Sequence, residues 1–503
     1  MTVSRRDFLK IGGASCLVAG AGAALAGCGP ASKGSDAPLA DTGELALVGY
    51  RPVAFAEEVD VLIIGSGYAG IAAAMEPAKA GKKVLIVEKQ DHTGGDSATS
   101  CCFMFASGTE LQRAAGNPMT IDDYWAAMSE KLSAGYDEYP WFGEWVKGKT
   151  YANTEFVDVA INEFGAKFQE PCTDEELPRL SGSVILPGDG IGSGGPNIFT
   201  PITAKLKELG VETRCGMRAT ALIKDAEGAI IGCRFEDTVS GKLTDIRATA
   251  TVLATGGFAD NGEMVLEYLP EWANYGQMVH GCLGEGHRMA VAAGAKLFGM
   301  DSSYHHCNLM GDIPNCTTWG YWTPIVLVLP NGKRFSEEAQ SHDAAQAALD
   351  AGYRSWWSIF DDRAFGARAI SHSVEGNIKS RADVYVKADT LDELAAGMDV
   401  PADVLKATFA RYDELVASGE DADFGKKAWL DSLTPPYHAL KLNVHRYKTS
   451  GGLMCGPNNL VLDTSDNEMP GLYAAGAVAL QSFANVSACM ATGYYTGKSI
   501  AAL

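Results

Sequence analysis

Residues 59–88 read VDVLIIGSGYAGIAAAMEPAKAGKKVLIVE, an apolar run, a glycine loop, an Ala-rich stretch, a second apolar run and a closing acid. This order predicts a strand, a helix and a second strand with Gly65, Gly67 and Gly70 in the first turn. Gly65 permits the tight turn, Gly67 lets the backbone approach a pyrophosphate, and Gly70 lets the helix pack on the strand. The helix N-terminus offers N–H groups to the anion, and Glu88 stands where a ribose hydroxyl needs an acceptor. The unit therefore predicts an α/β chain that binds an adenine dinucleotide. Taken alone, it leaves nicotinamide and flavin dinucleotides both open.

With 503 residues the chain exceeds one ordinary core, and two domains are expected. The net charge of −21 argues against nucleic acid and anionic lipid surfaces as partners, because both are polyanions. It suits an acidic enzyme or the docking of a basic redox partner. Near the N-terminus, Ser4-Arg5-Arg6-Asp7-Phe8-Leu9-Lys10 carries a twin-arginine signature, and a Gly/Ala-rich run follows that ends Leu25-Ala26-Gly27-Cys28. Residues 1–28 are thus expected to be an export signal for a folded, cofactor-loaded protein, with Cys28 as lipid acceptor. The expected location is the extracytoplasmic face of the membrane, with membrane contact through that anchor only. The run is too short and Gly-rich for a membrane span, and residues 29–57 read as a flexible tether.

The twelve cysteines include no CxxC and no CxxCH, so attached c-type haem is not expected. Their scatter suits small buried hydrophobes. An iron-sulfur cluster gathered from distant loops, or a few disulfides, remain the alternatives.

Residues 93–100, TGGDSATS, place Gly94, Gly95 and Ser97 in a polar loop able to wrap a second face of the cofactor. A β-meander is expected next, from Ala219-Thr220 through Leu253, and ends in the glycine turn Thr255-Gly256-Gly257. Aromatic clusters and new helical patterns then set apart residues 301–447, and glycine turns return from 448. These shifts divide the chain into 58–300 and 448–503, the two parts of a cofactor domain, with 301–447 inserted between them.

Several separated motifs together resemble one family, the FAD-dependent domain shared by fumarate reductases, urocanate-type reductases and 3-oxosteroid dehydrogenases. They are GSGYAG with Glu88, TGGDSATS, VLATGGF, Gly284-Glu285-Gly286 with AAGA, Asn331-Gly332-Lys333-Arg334-Phe335, the TSGG turn at 449–452 and PGLYAAGAV at 470–478. The resemblance implies a Rossmann-like FAD-binding domain with an inserted α+β capping domain for substrate. FAD would be non-covalent, since His92 is spaced differently from the flavin-linking histidine of complex II relatives. Its binding residues would be Gly65, Gly67, Ala69, Gly70, Glu88, Lys89, Gly94, Gly95, Ser97, Ala219, Thr255, Gly256, Gly476 and Ala477.

The resemblance also implies hydride transfer between flavin N5 and an activated C=C bond of a small molecule, with a protein group handling the proton. His306 falls at the family's substrate-binding histidine. His342 stands where fumarate reductases place the proton-donating arginine, and Lys448 replaces their second histidine. The arginine expected after the AAG strand has no counterpart. A dicarboxylate needs paired guanidinium forks to offset its desolvation, so an enone, an unsaturated lactone or a single unsaturated carboxylate is expected rather than fumarate. With no haem motif in the chain, a separate membrane multihaem cytochrome is expected to supply the electrons, and the acidic charge suits docking such a basic partner. The alternative is a 3-oxosteroid-type dehydrogenase that introduces the double bond, with Tyr494 as the proton-abstracting phenol and Tyr495 beside it. A flavin-binding electron carrier is the non-enzymatic rival.

Overall fold

The computed structural model describes residues 53–100, 104–117, 119–132, 142–171, 184–190, 193–277, 280–300, 308–311, 322–338, 341–366, 376, 378–379, 381, 383–449, 451–479 and 486–503. They belong to one unit, Leu45–Leu503. The twin-arginine segment, Cys28, the vicinal Cys101-Cys102 and His306 lie outside them.

The opening unit forms as its pattern predicts. β1 (Glu57–Ile64) and β2 (Val84–Val87) pair in parallel, with Ile63 opposite Ile86, and α1 (Tyr68–Lys79) connects them. β3 (Glu212–Arg214) extends the sheet beyond β2. The expected meander is β4 (Met217–Lys224), β5 (Ile230–Asp237) and β6 (Leu243–Leu253), whose far half runs parallel to β1 with Val252 opposite Ile63. Alternate residues of β1 feed two cores. Val61 and Ile63 face α1 and α2 (Phe142–Asn162), whereas Leu62 and Ile64 face the meander side.

A second sheet follows, with β7 (Gly276–Gln277), β8 (Asn308–Gly311), β9 (Ile325–Val328), β10 (Ser355–Asp361), β11 (Tyr385–Ala388) and β12 (Tyr437–Lys448). Its described path is β8-β12-β10-β9, with β7 and β11 also paired to β12. Trp356 and Phe360 of β10 pack toward α4 (Ser341–Asp350), and Trp357 and Ile359 toward α5 (Ala402–Ser418). α3 (Glu285–Ala292) lies between β7 and β8 in the chain. After β12 the chain rejoins the first sheet through β13 (Leu460–Leu462) and β14 (Glu468–Ala474), the latter parallel to β6, and closes with α6 (Val486–Ala501). The fold is α/β with an inserted α+β part.

α6 lies close on α1 because small residues face each other. A Cβ on Gly493 would overlap the carbonyl oxygen of Ala69, and one on Gly497 would stand 2.7 Å from that of Ala73. Both pairs repeat at i,i+4, the spacing of one helix face. The loop after β14 is thereby held over the start of α1, and Gly476 N donates to Thr492 Oγ1 at 2.9 Å.

Candidate cofactor and substrate site

The turn between β1 and α1 needs glycine for two reasons. Gly65 holds φ at +108°, and a Cβ there would overlap the carbonyl oxygen of Ala254 at the end of β6. Gly70 touches the Gly65 carbonyl so closely that it too has no room for a side chain. It packs helix on strand and is absent from the groove wall.

Ser66 ties three segments together. Its N–H and hydroxyl donate to Glu88 Oε2 at 3.0 and 2.7 Å, and its oxygen accepts from Gly94 N at 3.0 Å. Glu88 Oε1 accepts from Gln90 N at 3.0 Å, so this buried carboxylate is fixed before any ribose reaches it. Ser97 Oγ accepts from Tyr68 N at 3.0 Å, which brings the 93–100 loop onto the first turn of α1. Lys89 reaches Gly281 O at 2.6 Å and pairs with Glu285 at the head of α3.

Together these turns wall an open groove. Gly65, Gly67, Ala69, Glu88, Lys89, Gly94, Gly95, Ser97, Ala219, Thr255, Gly256, Gly476, Ala477 and Lys448 all line it. Backbone-bare glycines alternate with basic Lys89 and Arg218, which suits a polyphosphate. The buried oxygens Thr255 Oγ1 and Gln90 Oε1 have no hydrogen-bond partner in the protein, and both residues line the groove. An elongated polar ligand satisfies these atoms, and FAD fits the site on those grounds.

Sequence reasoning missed one pair on the groove wall. Cys282 Sγ donates to Asp96 Oδ2 at 2.7 Å. Burial pushes the Asp96 carboxyl up, opposed by the thiol, and burial with the Asp96 charge pushes the Cys282 thiol well above its ordinary value. The thiol therefore stays protonated and donating. The two residues lie 186 positions apart, and no local pattern marks the contact.

Three expected catalytic positions fall differently. Lys448, at the end of β12, lines the groove beside Thr449, whose hydroxyl accepts from Phe258 N at 3.1 Å and pins β12 to the turn after β6. His342 is the second residue of α4, and its side chain is outside the described part.

Tyr494 is corrected by the structure. It is 1% exposed and absent from the groove, with its hydroxyl between Glu76 and Glu155 at 3.2 Å from each and its ring against Phe156. Burial and those two carboxylates drive its pKa far above the ordinary value, so it does not serve as a base. Tyr495 donates to Pro457 O at 2.8 Å, also away from the groove wall. His92 is exposed beside Asp91 and does not line the groove.

Among the described residues Cys215, Cys233, Cys282 and Cys455 carry free thiols, of which Cys233 and Cys455 are buried. Among the described residues no group of three or more His, Cys, Asp or Glu is placed to hold a metal ion. No described helix is long and apolar enough to cross a membrane.

Comparison with known proteins places this groove in context. The sequence model of the family described as "FAD binding domain" matches residues 60–493. Urocanate reductase of Eggerthella lenta is 28% identical over 448 residues, covering 85% of this chain and 71% of that protein. Vinyl phenol reductase of Lactiplantibacillus plantarum is 24% identical, covering 88% and 95%. The open conformation of a flavocytochrome c3 fumarate reductase superposes with a TM-score of 0.69 at 26% identity, covering 89% of this chain and 79% of that one. The groove is accordingly an FAD site, and the protein is a flavin-dependent oxidoreductase.

Proposed function

The chain belongs to the FAD binding domain family, and from that premise we propose that it saturates an activated C=C bond of an organic acceptor other than fumarate. Bound FAD supplies hydride chemistry at N5. The residues of this chain must then grip the electron-withdrawing group of the alkene, exclude water and hold a proton for the neighbouring carbon. Lys448 carries the reading: it is a cation on the groove wall beside the pinned Thr449 turn, where it polarises the substrate as charge builds up. His342 on α4 and His306 are proposed for proton delivery and substrate contact.

Two observations favour a substrate other than a dicarboxylate. Beyond Lys448 the sequence has one further basic residue, Lys498. That residue pairs with Glu155 at 2.6 Å, on the side of α6 that carries Tyr494 and away from the groove. A second cationic clamp from the C-terminal segment is therefore lacking. The relatives named for urocanate, vinyl phenol and fumarate support C=C reduction as the shared chemistry. The dehydrogenase alternative loses its proposed phenol, because Tyr494 is sealed between two carboxylates. Substituting Lys448→Met should slow alkene-dependent reoxidation of the reduced flavin by about a hundredfold with FAD content unchanged. Equal rates in both proteins would remove Lys448 from the chemistry.

We also propose that the protein is exported by the twin-arginine route, is anchored by lipid at Cys28 and draws electrons from a separate membrane cytochrome. The SRRDFLK and LAGC segments and the acidic charge of −21 support this. In cell fractions, Arg5→Lys with Arg6→Lys should leave FAD-loaded protein in the cytoplasm. Unaltered export of that variant would count against the route.

A further inference from the structure

The donors already held by Glu88 limit what its carboxylate can offer a ligand. Ser66 N and Oγ donate to Oε2 at 3.0 and 2.7 Å, and Gln90 N donates to Oε1 at 3.0 Å. A carboxylate accepts about four hydrogen bonds, so the protein itself occupies all but one site. The adenosine ribose of FAD carries a vicinal diol, which brings two donors to this wall. One of them needs another acceptor.

Gln90 has it. Its backbone is fixed on both sides, because its N–H is held by Glu88 and its carbonyl accepts from Gly216 N at 2.7 Å. Glu88 is fixed likewise, its N–H donating to Arg214 O at 2.8 Å and its carbonyl accepting from Met217 N at 2.9 Å. Both residues line the groove. Glu88 is nearly saturated by protein donors, whereas the buried Gln90 Oε1 has none. The amide lies against Gly281, where φ is +93° and a Cβ would stand 2.9 Å from Gln90 Nε2. Lys89 Nζ holds the same Gly281 through its carbonyl at 2.6 Å, which keeps that residue against the amide. A buried acceptor left without a donor costs about 1–3 kcal/mol. A hydroxyl of the cofactor removes that cost.

We propose that Gln90 is a cofactor-recognition residue: its Oε1 accepts one hydroxyl of the adenosine ribose, while the last open site of Glu88 accepts the neighbouring one. The pair then reads an intact cis-diol. A deoxyribose leaves one of the two acceptors unpaired, and a phosphate on either hydroxyl brings like charge against the Glu88 carboxylate. Specificity at this end is thus divided between an acid that the glycine-loop pattern marks and an amide that it does not. The proposal rests on the FAD site and is independent of the alkene.

The test uses the full chain, freed of flavin by dialysis against bromide and reloaded with FAD or with its 2′-deoxyadenosine and 3′-deoxyadenosine analogues, binding being read from the quenching of flavin fluorescence. In the wild type each deoxy analogue should bind about tenfold more weakly than FAD, near 1.4 kcal/mol. In Gln90→Met one of those two penalties should vanish and the other persist, with FAD itself bound about tenfold more weakly. Gln90→Glu, which keeps an acceptor at that position, should restore the lost penalty. The proposal is overturned if the wild type binds both analogues as tightly as FAD, or if Gln90→Met keeps both penalties or loses both. Loss of all flavin binding by Gln90→Met would overturn it too, because one hydrogen bond does not account for so large an effect.

Discussion

His287 is fully buried in α3 with its ring edge-on to Phe258, and burial lowers its pKa from 6.5 to about 4, with the backbone of Gly451 acting in the opposite sense. The folded protein therefore keeps it neutral, and the unfolded chain takes up a proton first as the pH falls. Stability drops where the unfolded state binds more protons, so the loss begins near pH 6.5 and continues to about pH 4. At pH 5 this amounts to about 2 kcal/mol. His287→Met should flatten the fall in melting temperature between pH 7 and pH 5, measured by thermal denaturation of both proteins. An unchanged slope would mean that the ring is not held neutral. The same local detail explains why single residues were unevenly legible in the sequence. Gly65 announces itself by its place after an apolar run, because a φ of +108° leaves little else allowed. Arg446 carries no such mark. It is buried in β12 with Nε and Nη1 unpartnered, which only the assembled neighbours reveal.

At the scale of elements, the contact of α6 with α1 decides whether the returning segment covers the cofactor turn. Gly493 and Gly497 meet Ala69 and Ala73 with no space for a Cβ at Gly493. Gly493→Val should force the helices apart and cost about 1–3 kcal/mol. It should also lower FAD retention, read as flavin absorbance per protein after desalting, because Gly476 and Ala477 ride on that contact. Full retention with normal melting would contradict this. The Ala-rich helix after the first glycine loop and the meander were legible from the sequence. The facing of α6 was not: a helical period predicts that one side is buried, but not which neighbour it meets. Tyr494 was misassigned for this reason, since it shares the helix with groove-lining Cys489 yet points at Glu76 and Glu155.

Across the whole molecule, two sheets are joined where β12 hands over to Thr449, and the FAD groove ends at that joint. The order and spacing of glycine turns made the cofactor domain readable from sequence, because each turn needs backbone that side chains would block. The substrate end was less readable. Contacts there join residues far apart in the chain, as Cys282 meets Asp96 across 186 positions. The central claim concerns that end: a reductase of C=C bonds in which Lys448 lines the groove and no second cation of the C-terminal segment joins it, which does not suit a dicarboxylate. Anaerobic stopped-flow mixing of the dithionite-reduced, FAD-loaded protein with cinnamate, acrylate, an enone, an unsaturated lactone and fumarate, followed by recovery of oxidised flavin absorbance, tests it most directly. Faster reoxidation by one of the acceptors other than fumarate, with the saturated compound as product, is the predicted result. Fastest reoxidation by fumarate, or none by any alkene, would contradict the account.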